Sequence, residues 1–114
     1  MRKYAFVKKP NEIKWVMIYE EPYEVYLFLY ISTADCGCDN DLLFRTPEEA
    51  EKFAAEEYEI SQSDWIQIDD PLPYCQHDII RPVRVRGREQ GNPQFEFLEE
   101  LKDGIWIPFK ETHE

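Results

Sequence analysis

The sequence predicts a single α+β domain over residues 1–114, and three observations lead to this prediction. Short segments rich in β-branched and aromatic residues recur along the chain, separated by turn signals of Pro, Gly, Asn and Asp. Residues 47–59 have the periodicity and capping residues of a helix. Hydrophobic residues make up 43% of the chain, enough for one core. We expect the order β-β-β-α-β-β-β-β, with about six to seven strands in a largely antiparallel sheet and the helix packed on one face.

The first three strands are expected in the N-terminal third of the chain. Residues 4–7 predict a short strand, and residues 13–19, in which only Lys14 is strongly polar, predict a central one. Residues 24–32 predict a third strand after a turn. Because side chains alternate between the faces of a strand, one face of this strand is aliphatic, with Val25, Leu27, Leu29 and Ile31. The other face is aromatic and consists of Tyr26, Phe28 and Tyr30.

The aromatic face of the third strand needs cover, because a strand with two apolar faces is not satisfied by one core. A second packing layer or a homodimer contact is the expected cover, since rows of aromatic side chains are usually buried. The alternative is an exposed interaction face that binds a ligand or a partner.

The helix is predicted from its N-terminus. Thr46 is expected as the N-cap, Pro47 takes the first helical position and Glu49 the third, which together form a capping box. An apolar stripe follows at helical spacing and is expected to pack on the aliphatic face of the sheet: Ala50, Phe53, Ala54 and Tyr58. The outer face of the helix is acidic, which indicates either a solvated surface or a docking surface for a basic partner.

The segments after the helix predict short elements. Residues 65–68 predict a strand, and the two prolines within residues 69–73 predict a stiff extended connector. Residues 79–88 predict another strand, placed at an edge because Pro82 has no N–H to donate.

A hairpin is expected at the end of the chain. Its strands are predicted at residues 94–101 and 105–109, and the pair Asp103-Gly104 is a strong signal for the turn between them. Residues 110–114 are expected to be a frayed tail.

Two short segments, residues 34–41 and 74–78, hold the three cysteines and one of the two histidines. Each segment has ligand-type residues two positions apart, which gives four candidate ligands for a structural zinc ion: Cys36, Cys38, Cys75 and His77. Such a site would join the loop after the third strand to the proline connector. Structural zinc sites usually have two to four residues within each Cys pair, whereas one residue stands there in this chain. Three reduced, partly buried thiols and a surface histidine are therefore the alternative, which the spacing favours.

Other chemistry at these segments is less well supported. The acidic residues 35–41 resemble a calcium loop in charge but lack its distal Glu and its ligand spacing. Cys75 and His77 as a catalytic pair lack a recognisable third group, and Cys36 and Cys38 as a redox pair lack a thioredoxin-like context.

Arginines cluster in the predicted strand at residues 79–88. Arg84, Arg86 and Arg88 share parity and would line one face, where they form a candidate contact for a phosphate or carboxylate. The alternative is that they pair with acidic side chains on neighbouring elements. The net charge of −11 favours this alternative, because the overall field repels anions.

The net charge also restricts the kinds of partner that the protein can bind. A net charge of −11 and a pI near 4.6 argue against nucleic acid or an anionic membrane as a partner and favour a basic protein. No signal peptide is recognisable, and no apolar run approaches the roughly 20 residues that span a bilayer, so a soluble cytoplasmic protein is expected.

The leading hypothesis is therefore a non-enzymatic protein-interaction module with a basic partner, stabilised by zinc if the candidate ligands meet. An immunity-like inhibitor of a basic toxin or nuclease is one example of this class. The alternative is a small-ligand or anion-binding protein, or an enzyme, that uses the Cys/His cluster and the arginines. A homodimer formed through the aromatic face is a third possibility.

Overall fold

The computed structural model describes residues 1–109. In that range the chain forms eight strands, one α-helix and two short 3-10 turns. The strands are β1 (Arg2–Phe6), β2 (Trp15–Glu20), β3 (Val25–Tyr30), β4 (Asn40–Phe44), β5 (Ile66–Ile68), β6 (Val83–Val85), β7 (Leu98–Lys102) and β8 (Ile105–Pro108). The helix is α1 (Pro47–Tyr58), and the 3-10 turns are Gln62–Asp64 and Arg88–Gln90.

Two antiparallel sheets hold these strands. The larger has five strands in the order β4-β3-β2-β1-β5, and the smaller has three in the order β6-β7-β8. The α+β class with one main helix and antiparallel pairing is confirmed. Two features of the topology differ from the prediction: β4 forms where no strand was predicted between the third strand and the helix, and the strands divide into two sheets where one was expected. The predicted tail, residues 110–114, lies outside the described residues.

The helix forms as its capping residues predict. The Thr46 hydroxyl accepts a hydrogen bond from the Glu49 N–H at 3.2 Å, with Pro47 in the first turn. The Glu49 carboxylate reaches back to the N–H of Arg45, one residue before the N-cap, at 3.3 Å. Ala50 and Ala54 are fully buried, and the helix packs on the aliphatic face as expected.

The two faces of β3 enter two separate cores. Val25, Leu27 and Leu29 pack with the helix stripe. Phe28 and Tyr30 pack on the opposite face with Trp15 and Met17, and residues 75–81 cover that side. The aromatic face is thus largely covered by the chain's own second layer. Ile31 departs from the predicted aliphatic face, since β3 ends at Tyr30 and Ile31 is 45% exposed.

The first strand of the smaller sheet is shorter than the sequence predicts. Of the predicted strand at residues 79–88, only β6 is in the ladder, because Pro82 precedes it and Gly87, with a φ of 81°, turns the chain after it. The turn from β7 to β8 follows the prediction, since Asp103 and Gly104 have φ values of 53° and 79°.

Within residues 1–109, α1 is the one α-helix, and it is neither long enough nor apolar enough to cross a membrane.

Candidate functional site

A cleft of about 300 Å³ lies beside the aromatic face of β3. We call it the aromatic cleft, and its lining residues are Tyr26, Phe28, Cys75, Gln76, His77, Asp78 and Arg88. It therefore brings together members of three groups that the sequence singles out: the aromatic face, the Cys/His cluster and the arginines. Of the aromatic face, Phe28 and Tyr30 are buried in the chain itself, and Tyr26 is the half-buried member that remains accessible.

A buried arginine, Arg2, holds the segment that forms one side of the cleft. Its side chain donates from Nε to the Asp69 carbonyl at 2.8 Å, and from Nη1 to the carbonyls of His77 at 3.0 Å and Ile79 at 2.8 Å. Burial lowers the pKa of Arg2, yet the guanidinium remains charged at neutral pH. Sequence reasoning missed this residue. The available signal was its parity with Tyr4, which places Arg2 on the aromatic side of β1.

Aspartates join the two segments that hold the cysteines. The carboxylate of Asp35 accepts hydrogen bonds from the N–H groups of Ile80 at 2.7 Å and Arg81 at 2.9 Å. In the opposite direction, Asp78 accepts from the N–H of Cys38 at 2.7 Å. The loop after β3 is thus linked to residues 78–81, which follow the proline connector, and carboxylate-to-amide hydrogen bonds form this link.

Tyr30 holds residue 78 of the same segment through a hydrogen bond to its backbone. Its hydroxyl donates to the carbonyl of Asp78, and its ring stacks on Trp15 with centroids 3.6 Å apart. Burial, followed by the charge of Asp78, raises the pKa of Tyr30 far above its ordinary value. Tyr30 therefore stays a neutral donor, and the backbone at Asp78 has a fixed position beside the cleft.

The four candidate zinc ligands lie in different surroundings. Cys36 and Cys75 are buried, Cys38 is half-buried, and the side chain of His77 is 48% exposed. Burial and the neighbouring Asp78 raise the pKa of Cys38 to about 12, so its thiol is protonated at neutral pH. Within residues 1–109, no three His, Cys, Asp or Glu side chains form a group that could hold a metal ion, the acidic loop included. The zinc site stays a prediction from sequence, without support from this geometry.

His77 faces the aromatic row. Its Nδ1 lies 3.6 Å from a carboxylate oxygen of Glu21, and its ring centroid is 4.7 Å from that of Tyr19. Tyr19 in turn stacks on Tyr26 with centroids 6.5 Å apart. His77 therefore lies at the border of the cleft, between the carboxylate of Glu21 and the ring of Tyr19.

Arg84 is paired within the chain. Its Nε donates to Glu99 at 2.8 Å, its Nη2 lies 3.5 Å from Glu89, and its guanidinium lies 3.7 Å from the ring centroid of Trp106. This is the arrangement that the acidic-partner alternative predicts. Opposite charges across the ladder stabilise the small sheet, because Arg84 and Glu99 are register partners in β6 and β7.

Arg86 and Arg88 do not continue the row that begins at Arg84. The strand ends at Val85, so the shared parity of the three arginines does not place them on one face. Arg86 is exposed beyond the strand, and Arg88 follows Gly87 into a 3-10 turn at the cleft. There its Nη1 donates to Oε1 of Gln76 at 2.8 Å.

Comparison with known proteins provides no assignment. No family model matches the chain, and neither the curated proteins nor the solved structures yield a match. Function has to be inferred from the chain's own residues.

Proposed function

We propose that the protein is an interaction module that binds a basic partner protein through the outer face of α1. The charge of this face is the observation that supports the proposal. Five exposed glutamates lie on the helix and its C-cap, against one exposed lysine, Lys52. We call these glutamates the acidic helix face, and they are Glu48, Glu49, Glu56, Glu57 and Glu59.

Part of the acidic helix face lies where negative charge lowers the stability of the helix. The C-terminal end of a helix carries partial negative charge, yet Glu56 and Glu57 stand near that end and the last turn has no basic residue. Each such acidic residue disfavours the helix by about 0.3–1 kcal/mol. Lys9 offsets little of this, because its ion pair with Glu59 is long, at 3.8 Å, and exposed. Charge placed where it lowers local stability is typical of a functional surface.

The helix presents this charge on a rigid support. Thr46 caps its first turn, and Ala50 and Ala54 anchor it in the core, so the backbone needs no ordering when a partner docks. A fixed negative surface also accelerates encounter with a positive partner.

A groove of about 370 Å³ beside the helix adds a place for a basic side chain. It is lined by Glu48, Glu51 and Trp65, among others. Two of its lining residues already contact a cation, because the ammonium of Lys3 pairs with Glu51 and lies 5.4 Å from the ring centroid of Trp65, and Lys52 is itself a lining residue. An acidic rim with an aromatic wall suits the long side chains of lysine and arginine.

The test uses the immobilised chain and a cell lysate at about 20 mM and about 300 mM salt, which differ strongly in screening. We expect basic proteins to be retained at low salt and released at high salt. A variant with Glu48, Glu49, Glu56 and Glu57 changed to Gln should lose them.

The matched control changes four exposed acidic residues elsewhere to their amides: Glu12, Glu20, Asp41 and Glu96. It alters the net charge equally and should retain the same proteins. Equal loss in both variants would show non-specific charge attraction, and absence of any basic protein at low salt would refute the proposal.

A further inference from the structure

We infer that the aromatic cleft binds a small planar aromatic carboxylate, whose ring packs against Tyr26 and Phe28 while its carboxylate pairs with Arg88. This site is separate from the acidic helix face and goes beyond the proposed function.

The aromatic side of the cleft is a row of parallel rings. Tyr26 and Phe28 have centroids 5.5 Å apart and ring planes within 13°, and Tyr19 continues the row with planes within 15° of Tyr26. Tyr26 remains half-buried, so the row is accessible at this point. A flat ligand ring can pack against the accessible part of Tyr26 beside Phe28, and each aromatic contact adds about 0.5–1.5 kcal/mol beyond area burial.

Arg88 supplies a charge that the chain leaves unpaired. In the part of the chain that the structure describes, the side chain of Arg88 makes one hydrogen bond, to the neutral amide of Gln76, and no ion pair. By contrast, Arg81 pairs with Asp35 and Arg84 pairs with Glu99. Arg45 and Arg86 also form no ion pair among the described residues, but both are exposed, whereas Arg88 is half-buried and lines the cleft.

The hydrogen bond to Gln76 also orients the guanidinium. It engages Nη1, which leaves the edge formed by Nε and Nη2 for another acceptor. Two parallel N–H groups on that edge match the two oxygens of a carboxylate. Gly87, with a φ of 81°, turns the chain after β6, and Arg88 follows it at the cleft.

The size of the cleft and its charged neighbours restrict the ligand. About 300 Å³ is the lower end of small-molecule sites, which favours a ligand with a single ring. The net charge of −11 opposes anions, but at physiological salt screening confines each charge to roughly 8 Å, so nearby groups dominate. Four acidic side chains lie near the rings and the cleft. Asp78 accepts a hydrogen bond from the N–H of Cys38, and Glu21 lies 3.6 Å from Nδ1 of His77. Glu24 and Asp41 lie near the hydroxyl of Tyr26, so the carboxylate of the ligand has to point away from that hydroxyl and toward Arg88.

The test titrates the intact chain with benzoate and follows backbone amide shifts by NMR. We expect saturable shifts confined to residues 75–78, Tyr26 and Arg88. Benzamide has the same ring without the charge, and cyclohexanecarboxylate has the same charge without the aromatic ring. Each should bind at least about tenfold more weakly than benzoate.

Variants separate the charge at the cleft from charge elsewhere. Arg88→Gln should lower the affinity for benzoate at least about tenfold, whereas Arg86→Gln, which removes an exposed arginine outside the cleft, should leave it unchanged. Three results would each overturn the inference: no saturable shifts with benzoate, equal affinity for benzamide, or unaltered binding in Arg88→Gln. The comparison of benzoate with benzamide uses the unmodified chain. It therefore tests the inference even if the Arg88→Gln variant fails to fold.

Discussion

Single polar residues, one buried and two half-buried, organise the region around the aromatic cleft. Arg2 binds three backbone carbonyls in the segment of residues 69–79, and Asp35 and Asp78 bind backbone amides across the two cysteine-containing segments. The segment that lines the cleft lies outside any strand, so these side chains replace the ladder hydrogen bonds that its backbone lacks. Each of them therefore contributes to stability through groups that would be unsatisfied without it.

Replacement of Arg2 tests this account. Arg2→Met keeps much of the side-chain volume but leaves the carbonyls of Asp69, His77 and Ile79 without their donor. We expect the free energy of unfolding in urea to fall by about 2–4 kcal/mol. Arg86→Met removes an exposed arginine and should change it by less than about 0.5 kcal/mol. Equal effects of the two substitutions would contradict a special role for Arg2.

Turns decide where the elements of the smaller sheet begin and end. Gly104 lies in the hairpin turn and Gly87 after β6, and both have positive φ. Their surroundings differ, because a Cβ at Gly104 meets no atom within 4 Å, whereas one at Gly87 overlaps the carbonyl oxygen of Asn92. At position 104 glycine is needed only for its positive φ. At position 87 it is needed for its positive φ and also because a side chain would overlap the neighbouring backbone.

The two glycines make a matched pair of substitutions. Gly104→Ala should lower the free energy of unfolding by about 1–2 kcal/mol, the ordinary penalty for a left-handed alanine. Gly87→Ala should lower it by at least about 1 kcal/mol more, because the turn has to move to relieve the overlap. Urea denaturation of both variants measures the difference, and a smaller effect at Gly87 would show that the turn adjusts freely.

At the scale of the whole molecule, a net charge of −11 destabilises the compact state through self-repulsion. Any neutralised glutamate relieves some of this repulsion. On α1 the helix dipole adds a second effect, which favours acidic residues at the first turn and disfavours them at the last. These two contributions can be separated with residues at opposite ends of the helix.

Glu48→Gln and Glu57→Gln remove the same charge from exposed positions at the two ends of α1. We expect Glu57→Gln to raise the free energy of unfolding at low salt and Glu48→Gln to lower it or leave it unchanged. The difference should be about 0.5–2 kcal/mol and should shrink as salt is added. Equal gains from both variants would mean that overall repulsion outweighs the dipole, and would remove the argument that the acidic helix face is kept against helix stability.

The sequence by itself determined the features whose causes are local. The cap at Thr46 and Pro47 predicted where α1 begins, the Asp103-Gly104 pair predicted the last turn, and the alternation in β3 predicted its two faces. In each case the deciding residues are within a few positions of one another, so the preference is present before the chain folds.

Only the tertiary structure decided the rest, because the deciding partners are far apart in sequence. β4 forms because β3 offers it a partner, and Gly87 with the pairing of β6 to β7 produces a second sheet. The carbonyls that Arg2 binds are 67 to 77 positions away, and the amides that Asp35 binds are 45 and 46 away. Residue types alone indicated metal ligands in the two cysteine-containing segments, whereas the fold made Asp35 and Asp78 acceptors for backbone amides. It also left Arg88 without a carboxylate partner among the described residues.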